Sequence, residues 1–321
     1  KDFIRLVYEL SPSYFMFENV KGLAIGDHRK LLEEIISEAS NSGYEVLPPE
    51  ILNAKDFGVP QSRERLFIVG AKQGCKYPSI PKPIGRGVTC WDALDDLPDV
   101  DNCQQSVSSN GSQIRYLREA KGYSAMMRCL TEDSWKFGYK RIWDPTVLTN
   151  SCCTQHSEAS RYRFSRTKPG TREPVSRFFR LSPDSVCTTL RAGTDSAHGS
   201  FTSPRPIHYK YDRCVTIREM ARLHGFPDWF RFHATKWHGA RQVGNSVPPP
   251  LAFAIAREIF KCLLYQSSCP PTPVPLGDSA LLNMTMTAAS RYWGVKNPIA
   301  KRNQKSGRRK RKQSEMEVLM R

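Results

Sequence analysis

An acidic residue and an amide follow a short aromatic run near the start of the chain. Tyr14–Phe17 is an apolar run typical of a strand buried on both faces, and Glu18 and Asn19 come directly after it. Open α/β sheets bind their ligands just beyond the carboxyl ends of such strands. Glu18 is therefore a candidate functional group, although an ordinary polar turn at the end of a strand has the same pattern.

A second candidate group lies about 40 residues further on, where Gln61, Arg63 and Arg65 alternate as the chain enters a strand. Alternation places their side chains on one face of the strand. Two guanidinium groups and an amide on one edge form an array of donors for a base carbonyl or a phosphate. The alternative is a solvated strand edge with surface ion pairs, since Glu64 is available.

A third candidate region is basic and studded with aromatic residues. Residues 161–191 hold eight Lys or Arg against Glu173 and Asp184, with four Tyr or Phe between them. Cations for phosphates with interleaved aromatic rings suit a nucleic-acid surface, whereas the alternative is a solvated loop whose rings pack inward. The cations predicted to bind DNA are Arg161, Arg163, Arg166, Lys168, Arg177 and Arg180.

Composition limits the class of protein. The 321 residues carry a net charge of +17 and are 39% hydrophobic, so the chain can form a core and its most plausible partner is a polyanion such as nucleic acid. An acidic membrane surface is the second choice, but no apolar run approaches the roughly 18 residues of a membrane span. The ten cysteines show no CxxC pair and no zinc spacing, which predicts reduced thiols in an intracellular protein and no metal.

Periodicity predicts an α/β sheet in the first part of the chain. Residues 3–10 read as a helix, and a second helix is expected to start at Asp27 as its N-cap and to end at Gly43. Strands are predicted over Tyr44–Leu52 and Arg65–Ala71. The strand–helix–strand order predicts the α/β sheet, and the length of the chain predicts two domains, or one domain with a large insert.

Regular structure fades between residues 74 and 211, which predicts a separate lobe, and returns at Cys214. A capping box at Thr216 starts a helix that ends at Gly225, with His224 beside the helix end in a structural role. A buried helix follows the sequence Gln242-Val-Gly-Asn-Ser-Val-Pro-Pro-Pro. Residues 267–321 read as a tail, whose last 21 residues hold nine Lys or Arg against two Glu.

Several segments together resemble the cytosine-C5 DNA methyltransferases. They are FMFENVKGL, NAKDFGVPQSRERLFIVGA, TIREMARLHGFPDWF and QVGNSVPPP, in the order and spacing of that family's motifs. The resemblance implies a partial Rossmann-like, S-adenosylmethionine-dependent sheet with an inserted irregular or β target-recognition domain. The implied domains are residues 1–73 (second half of the sheet), 74–213 (target recognition), 214–266 (return to the catalytic domain) and 267–321 (basic, disordered tail).

The resemblance also implies roles for individual residues. Glu18 would partner N3 of a cytosine flipped out of duplex DNA, with Asn19 supporting the site, while Arg65 would hold O2 of the base and Arg63 would help fix the site. Gln61 would lie among the DNA contacts. The Gly-Asn-Ser turn would close one side of the S-adenosylmethionine pocket, so the cofactor-binding candidates are Asn245 and Ser246.

The family's cofactor loop and its Pro-Cys-Gln nucleophile motif do not occur in these residues. The expectation is therefore a C-terminal fragment that needs the first half of the catalytic domain as its partner and is inactive by itself. Two other classes stay open: a tRNA cytosine-C5 methyltransferase and a non-catalytic DNA-binding derivative of the fold. The basic tail predicts nuclear import, with the bacterial cytoplasm as the alternative location.

Overall fold

The computed structural model describes residues 2–85, 87–101, 111–113, 116–193, 204–263 and 270–296. Short 3₁₀ turns join some of the elements. The helices are α1 (Asp2–Leu10), α2 (Arg29–Asn41), α3 (Cys90–Leu94), α4 (Tyr123–Met127), α5 (Glu158–Arg166), α6 (Ile217–His224), α7 (Lys236–Asn245), α8 (Pro249–Phe260) and α9 (Met286–Tyr292). The strands are β1 (Tyr14–Val20), β2 (Tyr44–Val46), β3 (Glu50–Asn53), β4 (Glu64–Lys72), β5 (Gly111–Gln113), β6 (Arg141–Ile142), β7 (Val147–Thr149) and β8 (Val274–Pro275).

The main sheet is organised around β4. Strand β1 pairs with β4 on one side and β2 and β3 pair with it on the other, all antiparallel. Strands β1 and β2 therefore run parallel to each other, and α2 makes the crossover between them. The sheet has the α/β character that the sequence predicts.

The structure corrects two predicted strands. Strand β1 does not end at Phe17, because its pairing with β4 continues through Glu18 and Asn19 to Val20. The strand predicted over Tyr44–Leu52 is divided into β2 and β3 at Leu47-Pro48-Pro49. Proline has no backbone N–H to donate to a sheet, so two successive prolines interrupt the pairing with β4.

Helix α2 begins later than predicted. A short 3₁₀ turn occupies Gly26–His28, the helix starts at Arg29, and no side chain caps it, so the prediction that Asp27 is the N-cap is wrong. The other end is confirmed, because Gly43 follows the helix with a φ of +84°. The helix predicted over residues 3–10 is confirmed as α1.

The two faces of the sheet have separate cores. One contains Phe15, Leu66 and Ile68 of the strands, packed with residues of α1 and α2. The other contains Phe67 and Val69 of β4, packed with residues of α8. Since side chains alternate along β4, consecutive residues contribute to opposite cores.

The largest core surrounds α6. The helix begins with the predicted capping box between Thr216 and Glu219 and ends at Gly225, whose φ is +88°. Its buried side chains pack with those of α3, α4 and α7 and with Leu181 and Leu190. This core joins residues from both sides of the predicted domain boundary at 213/214, and the domain limits themselves stay a prediction.

Residues 270–296, assigned to the tail by sequence, carry β8 and α9, and β8 pairs in parallel with β6. The basic cluster within residues 301–321 lies outside the described residues. In the described part of the chain, no helix is long and apolar enough to cross a membrane. Within the same ranges, no group of three or more His, Cys, Asp or Glu residues is arranged to hold a metal ion.

Candidate active site and nucleic-acid surface

Glu18 and Arg65 form an ion pair across the β1–β4 interface. In the strand register Glu18 lies opposite Phe67 and Val20 lies opposite Arg65, so the two charged residues are diagonal neighbours on one face of the sheet. Arg65 Nε lies 3.0 Å from Glu18 Oε1, and the side chains are 12% and 26% exposed, respectively. The carboxylate is held in place and still reaches solvent, as a group that must meet a substrate requires.

Asn19 points to the other face of the sheet, because it is adjacent to Glu18 in the same strand. Its amide oxygen accepts a hydrogen bond of 2.8 Å from the backbone N–H of Val20. This bond ties the Asn19 side chain to the backbone at the end of β1.

Arg63 is a buried side chain that binds backbone carbonyl groups of the protein. Its side chain is 1% exposed, and it donates to the carbonyl oxygens of Leu190 (3.0 Å), Gly244 (2.8 Å) and Ser246 (2.9 Å). Burial, and then the neighbouring Arg65, lower the pKa of Arg63 to about 10, so it stays protonated at neutral pH. It joins β4 to two segments distant in sequence.

Gln61 is completely buried, and its partners are groups of the protein itself. Its amide nitrogen lies 3.3 Å from the carbonyl oxygen of Leu223 and 2.9 Å from Nδ1 of His224, and its amide oxygen accepts from the N–H of Leu190 at 3.0 Å. This amide therefore presents no donor to a DNA phosphate, in contrast to the role that the motif implies.

The predicted cofactor residues lie at the end of α7. Asn245 is the last residue of the helix, with no positive φ, and its side chain is exposed. The Ser246 hydroxyl donates to the carbonyl oxygen of Val243 at 2.7 Å and contacts His224 Nε2 at 3.1 Å. A side chain at Gly244 would meet the backbone of Ala192, 2.5 Å from its nitrogen, so only glycine fits there.

The cations of the basic region fall into two groups. Some are exposed to solvent, and others are paired with groups of the protein itself. Arg166, Lys168 and Arg177 are exposed, as is Tyr162 with 67% of its surface. These side chains lie at the end of α5 and in the loops that follow it. They form the surface that can meet phosphates, hereafter the α5 surface.

The other three cations predicted to bind DNA already have acidic or carbonyl partners. Arg161 pairs with Asp101 at 3.1 Å and Arg163 pairs with the buried Glu173 at 3.3 Å. Arg180 is buried and donates to the carbonyl oxygens of Phe164 and Thr167. Of the four aromatic residues, Phe164 is buried and Phe178 and Phe179 pack against cores, as the inward-packing alternative predicts.

Sequence reasoning missed a group of buried charges around α6. Arg222 bonds to Asp96 (2.9 Å) and Asp228 (2.7 Å), and Arg213 bonds to Glu219 (2.8 Å), with every one of these side chains at most 4% exposed. The sequence held one signal for these buried charges, which is the spacing of Arg218 and Arg222. Residues four apart lie on the same face of a helix, and a helix that supports a core buries that face.

Comparisons with known proteins identify the family. The family model described as C-5 cytosine-specific DNA methylase matches residues 1–261, more than three quarters of the chain. The chain belongs to this family. Members of the family use S-adenosylmethionine.

Several individual relatives are named Type II methyltransferases. The chain is similar to the Type II methyltransferase M.XorII of Xanthomonas oryzae pv. oryzae, with 47% identity over 301 residues that cover 94% of this chain and 70% of that protein. It is 30% identical to M.MthTI of Methanothermobacter thermautotrophicus over 81% of this chain and 70% of that protein. A solved E. coli structure, assigned as a prophage-encoded DNA modification methyltransferase, superposes with a TM-score of 0.66 at 32% identity, covering 81% of this chain and 72% of that one.

Proposed function

We propose that this methylase transfers a methyl group from S-adenosylmethionine to C5 of a cytosine flipped out of duplex DNA. The observation that carries the proposal is the Glu18 carboxylate, held by Arg65 and open to solvent at the end of a sheet strand. A carboxyl group at N3 of the base would let the ring accept electron density when a thiolate adds to C6. Arg65, on the same face, would hold the O2 carbonyl.

The cofactor supplies an electrophilic methyl group when it is bound. Asn245 fits its pocket, because the amide is exposed at the end of α7 beside a glycine that leaves no room for a side chain. The Ser246 hydroxyl is engaged with Val243, so Ser246 would contribute the shape of the turn. These residues would form one side of the pocket.

Four described thiols are poor candidates for the nucleophile. Burial raises the pKa of Cys90 and Cys129 to about 12 and that of Cys214 to about 11, and it raises the pKa of Cys187 strongly. Nucleophilic cysteines need the thiolate form near neutral pH. The interpretation that the nucleophile and cofactor loop come from an N-terminal half stays a prediction, tested by translating the gene upstream and looking for Pro-Cys-Gln in the same frame.

We propose that duplex DNA contacts the α5 surface, with its phosphates on Arg166, Lys168 and Arg177.

The bacterial cytoplasm suits the bacterial relative at 47% identity, whereas the comparisons lend no support to the nuclear location predicted from the tail. The family model and the E. coli structure, both described as acting on DNA, favour DNA over tRNA as the substrate.

The test uses the intact protein with S-adenosylmethionine and either duplex DNA or tRNA. Nucleosides released from each substrate are analysed by mass spectrometry. The proposal expects 5-methyldeoxycytidine from DNA and no methylated cytidine from tRNA. Methylation of tRNA alone would move the protein to the RNA-modifying class, and DNA binding without any methyl transfer would make it a non-catalytic derivative.

A further inference from the structure

Three segments that are far apart in sequence meet around Gln61 and Arg63. Backbone bonds join Cys187 to Pro60 (2.9 Å) and Ser62 to Cys187 (2.8 Å), so the end of the predicted recognition region runs alongside the chain entering β4. Residues 244–246, the end of α7 and its C-cap and hereafter the cofactor-side turn, lie against this region, because a Cβ at Gly244 would come 2.5 Å from the backbone nitrogen of Ala192.

Gln61 and His224 connect these segments by a chain of hydrogen bonds whose directions can be assigned. The Gln61 oxygen accepts from Leu190 N–H, so the amide nitrogen must be the atom facing His224. It donates one hydrogen to the Leu223 carbonyl and the other to Nδ1 of His224. A flipped amide would set its NH₂ against the Leu190 N–H, which excludes that orientation.

The assignment fixes the tautomer of the imidazole. Because Nδ1 accepts from Gln61, the ring proton of neutral His224 is on Nε2, which lies 3.1 Å from both the carbonyl oxygen and the hydroxyl oxygen of Ser246. The Ser246 hydroxyl hydrogen is used by Val243, so its oxygen is free to accept from Nε2. Burial, and then Arg63, lower the pKa of His224 well below its usual value, which agrees with a neutral ring.

We propose that Gln61 and His224 form a positioning relay that couples the recognition region to the cofactor-side turn, so that DNA and S-adenosylmethionine bind with mutual cooperativity. The relay runs from Leu190 through Gln61 and His224 to Ser246, and the completely buried Gln61 and His224 act in it by positioning. The inference rests on the proposed function and adds a regulatory property to the same site. Coupling of this kind is reciprocal between the two ligands.

A second connection joins the same segments independently of the relay. Arg63 independently bonds the Leu190 carbonyl and the carbonyls of Gly244 and Ser246. Loss of His224 therefore leaves the three segments attached while it frees Ser246 and Gln61 from each other. The expected consequence is weaker coupling in a protein that still folds.

The experiment measures the dissociation constant of S-adenosylmethionine by calorimetry, with and without a random-sequence DNA duplex, in the intact protein. The ratio of the two constants is the coupling factor. His224→Leu should reduce this factor about 5-fold or more, which is the lower range of measured allosteric couplings. His224→Asn should behave like His224→Leu, since its oxygen can accept from Gln61 but its side chain does not reach Ser246.

His224→Gln is the rescue variant, because its amide carries an acceptor and a donor that can replace the two ring nitrogens. It should keep the coupling factor within about 2-fold of the original protein. The matched control is His208→Leu, which removes another buried imidazole near α6 that contacts none of the relay residues. It should lower the melting temperature and leave the coupling factor unchanged.

Unchanged coupling in His224→Leu would overturn the relay, as would equal loss in His224→Leu, His224→Gln and His208→Leu. If His224→Leu does not fold, His224→Asn and His224→Gln decide in the same way. A starting protein that methylates DNA but shows no coupling between the two ligands also overturns the relay and leaves the proposed function intact. A starting protein that binds neither ligand contradicts the proposed function itself.

Discussion

Two groups of cations in this protein have opposite environments. Around α6, Arg213, Arg218 and Arg222 are completely buried, and each lies close to a carboxylate. On the α5 surface, Arg166 and Lys168 are exposed to solvent. A net charge of +17 indicates a nucleic-acid partner, but only burial tells which cations hold the fold together and which are free to meet DNA.

The sharpest way to test this comparison is to remove one cation from each group. Arg222→Leu would leave the buried Asp96 and Asp228 without their common partner. Breaking a buried ion pair in this way costs about 3–5 kcal/mol, so the free energy of unfolding, measured with urea, should fall by that amount. Arg166→Leu is the control and should change it by less than about 0.5 kcal/mol. Equal stability of the two variants would contradict the comparison.

A smaller change in the free energy of unfolding is expected when the pH is lowered. Burial alone would raise the pKa of Glu219, but Arg213 outweighs this effect and lowers that pKa to about 2. Since the folded-state pKa is lower than that of the unfolded chain, Glu219 stabilises the fold above about pH 4.5, and the contribution is lost as the pH falls towards 2.

The variant Glu219→Gln should therefore be less stable at neutral pH and should lose less additional stability on acidification. Urea unfolding of both proteins at a series of pH values between about 3 and 7 measures this difference. Parallel stability curves for the two proteins would show that Glu219 does not carry the acid sensitivity.

The smallest expected effect is on the salt dependence of DNA binding. Replacing Arg166, Lys168 and Arg177 by Ala should flatten the dependence of log K on log salt by about 0.9 for each phosphate that is no longer neutralised. Arg180→Ala should destabilise the fold without changing that slope, because Arg180 is buried against backbone carbonyls. An unchanged slope in the triple variant would place the DNA surface elsewhere, and a flatter slope in Arg180→Ala would contradict its internal role.

The local features were the ones that the sequence predicted well. The capping box at Thr216, the helix end at Gly225 and the strand at β4 depend on neighbouring residues, and the structure confirms them. The break at Pro48-Pro49 was also visible in the sequence, and the physical rule that proline interrupts a sheet would have divided the strand.

Long-range partners could not be predicted in the same way. Alternation predicts one shared face for Gln61, Arg63 and Arg65, but whether these side chains meet solvent depends on Leu190, His224 and the cofactor-side turn. The sequence alone does not show that residues more than 120 positions away cover Gln61 and Arg63. For the same reason the internal position of Arg180 could not be distinguished from that of the exposed Arg177.

The proposed chemistry depends on Glu18 as the acting group, with Arg65 holding it in place. Single-turnover methyl transfer by the intact protein, at saturating DNA and cofactor, measures this dependence. Glu18→Gln keeps the size of the side chain and can still form hydrogen bonds, but it cannot pass a proton. Glu64→Gln is the control, since Glu64 is a partly exposed neighbour on β4 that pairs with Lys21.

We expect Glu18→Gln to lower the single-turnover rate by about 10²–10⁴-fold, the usual contribution of a general acid–base group. DNA affinity should stay unchanged, because the phosphate contacts on the α5 surface are untouched, and Glu64→Gln should methylate at the original rate. A Glu18→Gln protein that methylates DNA at the rate of the Glu64→Gln control would remove Glu18 from the mechanism.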